Sequence, residues 1–232
     1  MKVTTIGFDA DDTLWHNERF YVLTQDRFAD LLSDYTDRTT LDERLLDSEK
    51  RNIGHYGYGI KGFMLSMIET AIEVTDGRVP ATVINRILEI GQDMLRHPIE
   101  LLPHAEAAVK AMAASHHRVL LITKGDLLDQ ERKLTESGLW EYFDGVEIVS
   151  EKSPDVYGRI FSEHGDGADR AMMVGNSMKS DVVPAIAAGA WGIHVPFHLA
   201  WALEAAEPPE GHDRYRVLDD LGNLPELVAE IG

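Results

Sequence analysis

The chain has 232 residues, 44% of them hydrophobic, with 22 Lys and Arg against 40 Asp and Glu, a formal net charge of −18 and no cysteine. That length accommodates one full α/β core with a smaller appended domain, while the lack of cysteine excludes disulfides and leaves a zinc site unsupported. The acidity argues against nucleic acid or anionic membranes as partners, and with no cleavable apolar leader and no long apolar span the expectation is a soluble cytoplasmic protein.

The first element lies in residues 6 to 15, Ile-Gly-Phe-Asp-Ala-Asp-Asp-Thr-Leu-Trp. A short apolar strand ends by presenting Asp9 and Asp11, and Thr13 closes the turn. Alternate side chains share a face of a strand, so both carboxylates are expected on one side of its carboxyl end, where open parallel sheets bind ligands. Two close carboxylates repel unless a cation or shared proton relieves them, and they suit a reaction in which one attacks while the other moves protons. An Asp-rich turn without chemistry would use the same residues, so later elements have to separate the two readings.

From Trp15 to about Pro98 the pattern is helical only. Apolar residues recur at helical spacing over 17 to 34, 62 to 75 and 80 to 96, the last opening at Pro80 and closing before Pro98, and 41 to 52 is polar and helix-like. Within this region Gly57-Tyr-Gly-Ile-Lys-Gly62 has dinucleotide-fingerprint spacing, but no strand precedes it. The glycines therefore read as a flexible loop over Gly54 to Gly62, in which Tyr56, Tyr58 and Lys61 are available to a ligand.

Strands return after residue 98. Val119 to Ile122 is a continuous apolar run ending in Thr123, Lys124 and Gly125; Val146 to Ser150 leads into Glu151 and Lys152; and Ala171 to Gly175 ends in Asn176 and Ser177, with Asp181 just beyond. Helical patterns separate these strands, so the connections are right-handed crossovers and every strand delivers a polar group to the same sheet edge. After a further strand over Gly192 to Pro196, the residues His198, Trp201 and Glu204 recur every three positions and read as one helix face serving packing and surface charge.

With its four polar motifs in order, at Asp9 and Asp11, Thr123, Lys152, and Asn176 to Asp181, the chain resembles the haloacid dehalogenase superfamily over nearly its whole length. The resemblance implies an α/β fold, a Rossmann-like doubly wound parallel sheet core formed by residues 1–15 and 99–232, with an inserted α-helical cap domain at 16–98 hinged near 15–18 and 97–103. It implies Asp9 as nucleophile, Asp11 as acid/base, Thr123 and Lys152 as phosphate-binding groups, and Asp181 as ligand of Mg2+. Lys124 joins the substrate-binding set because its backbone and that of Gly125 are placed to donate to phosphate oxygens. Magnesium prefers oxygen donors, here the Asp9 and Asp181 carboxylates and the Asp11 carbonyl. Many superfamily members place an acid where this chain has Asn176, whose amide oxygen still ligates the ion or orients a bound water.

Members that break carbon–halogen bonds lack the second aspartate, because a halide leaves without a proton, whereas a leaving alkoxide needs one. Asp11 therefore favours a magnesium-dependent phosphomonoester hydrolase acting on a small phosphorylated metabolite through an aspartyl phosphate. A phosphomutase, a 2-haloacid dehalogenase and a catalytically inactive regulatory module stay open as alternatives, as do monomer and homodimer. A weaker similarity in the cap and tail is to the flavin mononucleotide phosphatase-like subgroup.

Overall fold

The structure, a computed structural model, describes residues 2–199 and 201–232. Strands β1 (Thr5–Phe8), β2 (Arg118–Lys124), β3 (Gly145–Val149), β4 (Ala171–Gly175), β5 (Trp191–His194) and β6 (Tyr215–Val217) form one sheet in the order β3-β2-β1-β4-β5-β6, and every pair is parallel. The helices are α1 (Glu18–Leu32), α2 (Arg38–Tyr56), α3 (Ile60–Val74), α4 (Ala81–Leu95), α5 (Ala105–Ala113), α6 (Leu127–Ser137), α7 (Pro154–His164), α8 (Val183–Ala187) and α9 (Leu224–Ile231). None among the described residues is long and apolar enough to cross a membrane. The chain divides into two compact units, one of Met1–Glu18, Ile99–Lys124 and Gln130–Gly232, the other of Arg19–Pro98 and Gly125–Asp129.

In the sheet unit both faces are covered, which is why its central strands carry consecutive apolar residues, such as Val119 to Ile122 and Ala171 to Val174, rather than alternate ones. Ile6, Phe8, Val119, Leu121, Met172 and Val174 pack with Val109, Leu134 and Leu224 from α5, α6 and α9. Leu120, Ile122, Ala171 and Met173 point the other way, onto Tyr157, Ile160 and Phe161 of α7 and Ala185 of α8. Gly7 faces that second layer so tightly that a Cβ there would lie 2.9 Å from Ile122 Cδ1. The sheet is thus doubly wound, in agreement with the fold class expected from the sequence. Strand β6 escaped that reading because it has three residues, two of them exposed, and offers no apolar run.

The helical unit builds its own core from Phe28, Leu32, Leu41, Leu45, Phe63, Met67 and Ile87. Helix α2 looks polar in sequence because part of its buried face is polar. Asn52 Nδ2 donates to Ser66 Oγ on α3 (3.2 Å), and Thr70 Oγ1 donates to Ser48 Oγ (3.1 Å). Asp37 starts this helix, its carboxylate accepting from Thr40 N at 3.0 Å. The glycine-rich loop is shorter than expected: Gly54 to Tyr56 close α2, Ile60 to Gly62 open α3, and only residues 57–59 lie between. The turn is tight, since Gly57 and Gly59 have φ of 72° and 112° and a Cβ on Gly62 would stand 2.9 Å from Gly57 O. Lys61 Nζ is engaged by Asp126, at 2.9 Å from both carboxylate oxygens.

Candidate active site

Strand order reverses beside β1: the chain runs outward through β2 and β3, then crosses back to β4, β5 and β6 on the other side. Crossovers leave this point in opposite directions, and in open parallel sheets such a switch point at the carboxyl ends of the strands is where ligands bind. Asp9 is the first residue past β1, its N–H donating to Val174 O at 2.9 Å. The chain then turns instead of continuing as a strand. Leu14 N donates to Ala10 O (2.8 Å), Asp12 N to Trp15 O (2.7 Å), and Asp12 adopts φ 60°, a left-handed conformation that aspartate tolerates better than most residues. The Asp12 carboxylate accepts from the N–H groups of Asn17 (2.9 Å) and Glu18 (2.8 Å) at the start of α1.

The turn sends the two leading aspartates into different hydrogen-bond networks, a difference from the shared strand face expected from alternation. Asp9 Oδ1 accepts from Lys152 Nζ at 2.5 Å, and the same ammonium donates to Asp181 Oδ1 at 2.6 Å. All three are buried, Asp181 completely. Thr13 Oγ1 donates to Asp9 Oδ2 (2.9 Å), with Asn176 Oδ1 as a second acceptor at 3.3 Å, and itself accepts from Asn176 N (3.0 Å). Burial, then the charge of Asp181, lifts the Asp9 carboxyl to about 7 against the opposing pull of Lys152. Burial also works against the Lys152 ammonium, but Asp181 and Asp9 outweigh it and raise its pKa.

Asp181 owes its position to a single π turn, Met178–Val182, in which the N–H groups of Asp181 (2.9 Å) and Val182 (3.2 Å) both donate to Ser177 O. Ser177 N returns a bond to Asp181 Oδ2 at 2.9 Å, and the buried Tyr157 hydroxyl donates to Ser180 O at 2.9 Å. Gly175 ends β4 against this turn, where a Cβ would overlap the Asp181 carboxylate. Two buried carboxylates thus share one ammonium, leaving a negative excess, and Asn176 adds an amide oxygen beside them. An all-oxygen donor set with uncompensated negative charge fits a hard divalent cation such as magnesium.

Asp11 is held elsewhere. Its Oδ1 accepts from Trp15 Nε1 (2.7 Å) and Lys133 Nζ (2.9 Å), and its Oδ2 from Gln130 Nε2 (2.8 Å) and Lys133 Nζ (3.1 Å). Lys133 also donates to Asn17 Oδ1 (2.9 Å), and Gln130 to Lys124 O (2.8 Å). Burial, followed by the charge of Asp11, raises neighbouring Glu18 to about 7; burial alone dominates the similar rise at Asp12.

Thr123 and Lys124 end β2 as expected, Thr123 buried with its hydroxyl 3.4 Å from Lys124 O. The Lys124 side chain is turned inward, donating to Ser180 Oγ (2.7 Å) and Glu204 Oε1 (2.8 Å). Glu204 is the main departure from the sequence reading. Residues 202–204 form a single 3-10 turn rather than a helix face, and the carboxylate accepts from Ser177 Oγ (2.6 Å) and Ser180 Oγ as well as from Lys124. Burial would raise this carboxyl, but Lys124 and the serine hydroxyls hold it below its ordinary value. Sequence reasoning also missed Gln130 and Lys133, for which the sequence offered only two polar residues three apart; the structure buries both on α6.

The model of the haloacid dehalogenase-like hydrolase family matches residues 3–189. The chain belongs to this family. A haloacid dehalogenase-like family hydrolase from Xanthomonas campestris is 44% identical, with a TM-score of 0.86 over 99% of this chain and 91% of that one. The HAD-hydrolase YfnB from Bacillus subtilis, solved with bound magnesium, shares the fold at 14% identity and a TM-score of 0.67, covering 98% of this chain and 99% of that one. Glyceraldehyde 3-phosphate phosphatase from Methanothermobacter thermautotrophicus is 29% identical over 133 residues, 54% of this chain. The hydrolase spans 58% of that curated relative's length.

Proposed function

We propose that this hydrolase is a magnesium-dependent phosphomonoesterase acting on a small phosphorylated metabolite, with Asp9 as nucleophile and Asp11 as general acid and base. The observation that carries the reading is the division of labour between the two aspartates. Asp9 is buried against Lys152, and Asp11, two residues on, is held apart by Trp15, Gln130 and Lys133. The phosphatase among its relatives supports the same chemistry. Residues 1–15 and 99–232 are assigned the catalytic role and 16–98 that of a cap.

In the first step an Asp9 carboxylate oxygen attacks phosphorus, the ester P–O bond breaks, and Asp11 in its acid form gives a proton to the departing alkoxide. In the second, the Asp11 carboxylate takes a proton from water, the water oxygen attacks phosphorus, and the bond to Asp9 breaks to release phosphate. Lys152 holds Asp9 in place and is assigned to the transferring oxygens, with the Thr123 hydroxyl and the Lys124 backbone at the end of β2 completing the phosphate-binding set. Asp9, Asp181, the Asp11 carbonyl and Asn176 would hold the magnesium ion, which would supply charge neutralisation for the transferring phosphoryl group. Breaking a carbon–halogen bond would give Asp11 no proton to deliver, which is why hydrolysis of a phosphate ester is preferred over dehalogenation in a family named for the latter.

The test is direct. Purified protein is given p-nitrophenyl phosphate, a panel of phosphorylated metabolites, or 2-chloropropionate, with magnesium or with a chelator. Magnesium-dependent phosphate release supports the proposal; chloride release, sugar phosphate isomerisation, or chelator-resistant turnover would replace it with another member of the family's chemistry.

A further inference from the structure

We infer that Glu204 is a positioning residue for this site, tying the turn that carries Asp181 to the lysine at the end of β2; the inference rests on the phosphatase reading above. Three observations converge on this side chain. Its Oε2 accepts from Ser177 Oγ at 2.6 Å and from Ser180 Oγ, the residues that open the π turn and immediately precede Asp181. Its Oε1 accepts from Lys124 Nζ at 2.8 Å, and that ammonium also donates to Ser180 Oγ at 2.7 Å, closing a ring of charge-assisted bonds. The segment that brings Glu204 in is itself fastened to the same turn, by Lys179 Nζ donating to Leu203 O at 2.7 Å.

A π turn is less favourable than the α-helical winding it replaces and needs outside support to persist. Tyr157 supports this one from the buried side through Ser180 O, and Glu204 supports it through the two serine hydroxyls. The side chains of Glu204 and Lys124 are 18% and 11% exposed, so their ion pair is not dissolved by solvent as a surface pair would be. Glu151 stands on another side of Lys124, its carboxylate 3.5 Å from Nζ, and attracts the ammonium once Glu204 is gone. The ammonium would then be drawn away from Ser180 and the turn would lose its second support. In sequence its spacing with His198 and Trp201 marks this glutamate only as a surface charge, because no strand-end motif accompanies it.

Glu204→Ala, Glu204→Gln and, as a control on the underlying reading, Asp9→Asn are compared with the parent protein. Phosphate release is followed alongside calorimetric titration of MgCl2 into each protein without substrate, and thermal melting reports folding. Glu204→Ala is expected to lower kcat about tenfold and weaken magnesium binding at least about threefold, because Asp181 is no longer held at one place. Glu204→Gln keeps the size of the side chain and one acceptor oxygen, which can still take the two serine hydroxyls while the ion pair with Lys124 is lost, and should recover part of the magnesium affinity. Unchanged kcat and magnesium affinity in both variants, or losses that merely follow the unfolded fraction seen in melting, would overturn the inference. Should Asp9→Asn retain turnover, the nucleophile assignment fails instead, and calorimetry of the Glu204 variants still decides whether Glu204 holds the turn.

Discussion

Lys152 and Arg38 each bridge two carboxylates, one in the sheet unit and one in the helical unit, and the comparison separates a site from a surface. Lys152 lies 2.5 Å from Asp9 and 2.6 Å from Asp181 with its side chain 2% exposed. Arg38 lies 2.8 Å from Asp26 and 2.7 Å from Asp42 with its side chain 46% exposed. The distances are nearly the same and the consequences are not. Water already solvates Arg38 and its partners, so their pairing adds little. The buried triad has no such alternative: Asp9 is opposed by burial and by the charge of Asp181, and only the Lys152 ammonium between them pulls the other way. A fold retains such an arrangement where the charges are used, and the helical unit keeps its own charged pairs at the surface.

The comparison is broken most severely at the buried end. Asp9→Asn leaves an amide too weakly nucleophilic to attack phosphorus, so turnover should fall at least roughly a thousandfold while circular dichroism remains that of the parent. Asp11→Asn should hinder alkyl phosphates far more than p-nitrophenyl phosphate, whose leaving group departs without a proton; a kcat ratio equal for the two substrates would remove the acid role from Asp11. Lys152→Met strands two buried carboxylates and should cost about 3–5 kcal/mol of stability in urea unfolding. The mirror substitution, Arg38→Met, should cost less than about 1 kcal/mol, and a comparable loss in both would erase the distinction drawn between them.

A smaller effect concerns pH. Burial raises Asp12 from an ordinary 3.8 to about 7 in the folded protein, so between those values the native state binds a proton that the unfolded chain has released. Stability from this group is therefore greatest on the acid side and declines as pH rises through about 7. Asp12→Asn mimics the protonated carboxyl and tolerates the left-handed backbone at this position. In chelator, the melting temperature of the parent should fall more steeply than that of Asp12→Asn between about pH 5 and about pH 8. Parallel slopes would show that Asp12 does not titrate in this range.

What was legible before the structure follows from the range of the forces involved. Helix and strand periods are set by local geometry, so the apolar runs at β1, β2 and β4 and the helices before Pro98 announce themselves. The strand ends, where Asp9, Thr123, Lys124 and Lys152 stand, follow directly from those runs. Helix α2 was harder, because Ser48 and Asn52 use its buried face for hydrogen bonds and weaken the pattern of apolar spacing.

The sequence by itself determined the alternation of strands and helices, the all-parallel sheet and the carboxylates placed at its edge, because each depends on neighbours a few residues away. Only the tertiary structure decided which groups hold those carboxylates. Lys133 and Gln130 reach Asp11 across separations of 122 and 119 residues, Lys152 reaches Asp9 across 143, and Glu204 reaches Lys124 across 80. It also decided that Asp9 and Asp11 face different partners, since the chain turns after Phe8 and Asp12 takes a positive φ. Such pairings cost conformational entropy to assemble and are stabilised only once the core has brought the segments together, so no local pattern in the chain records them.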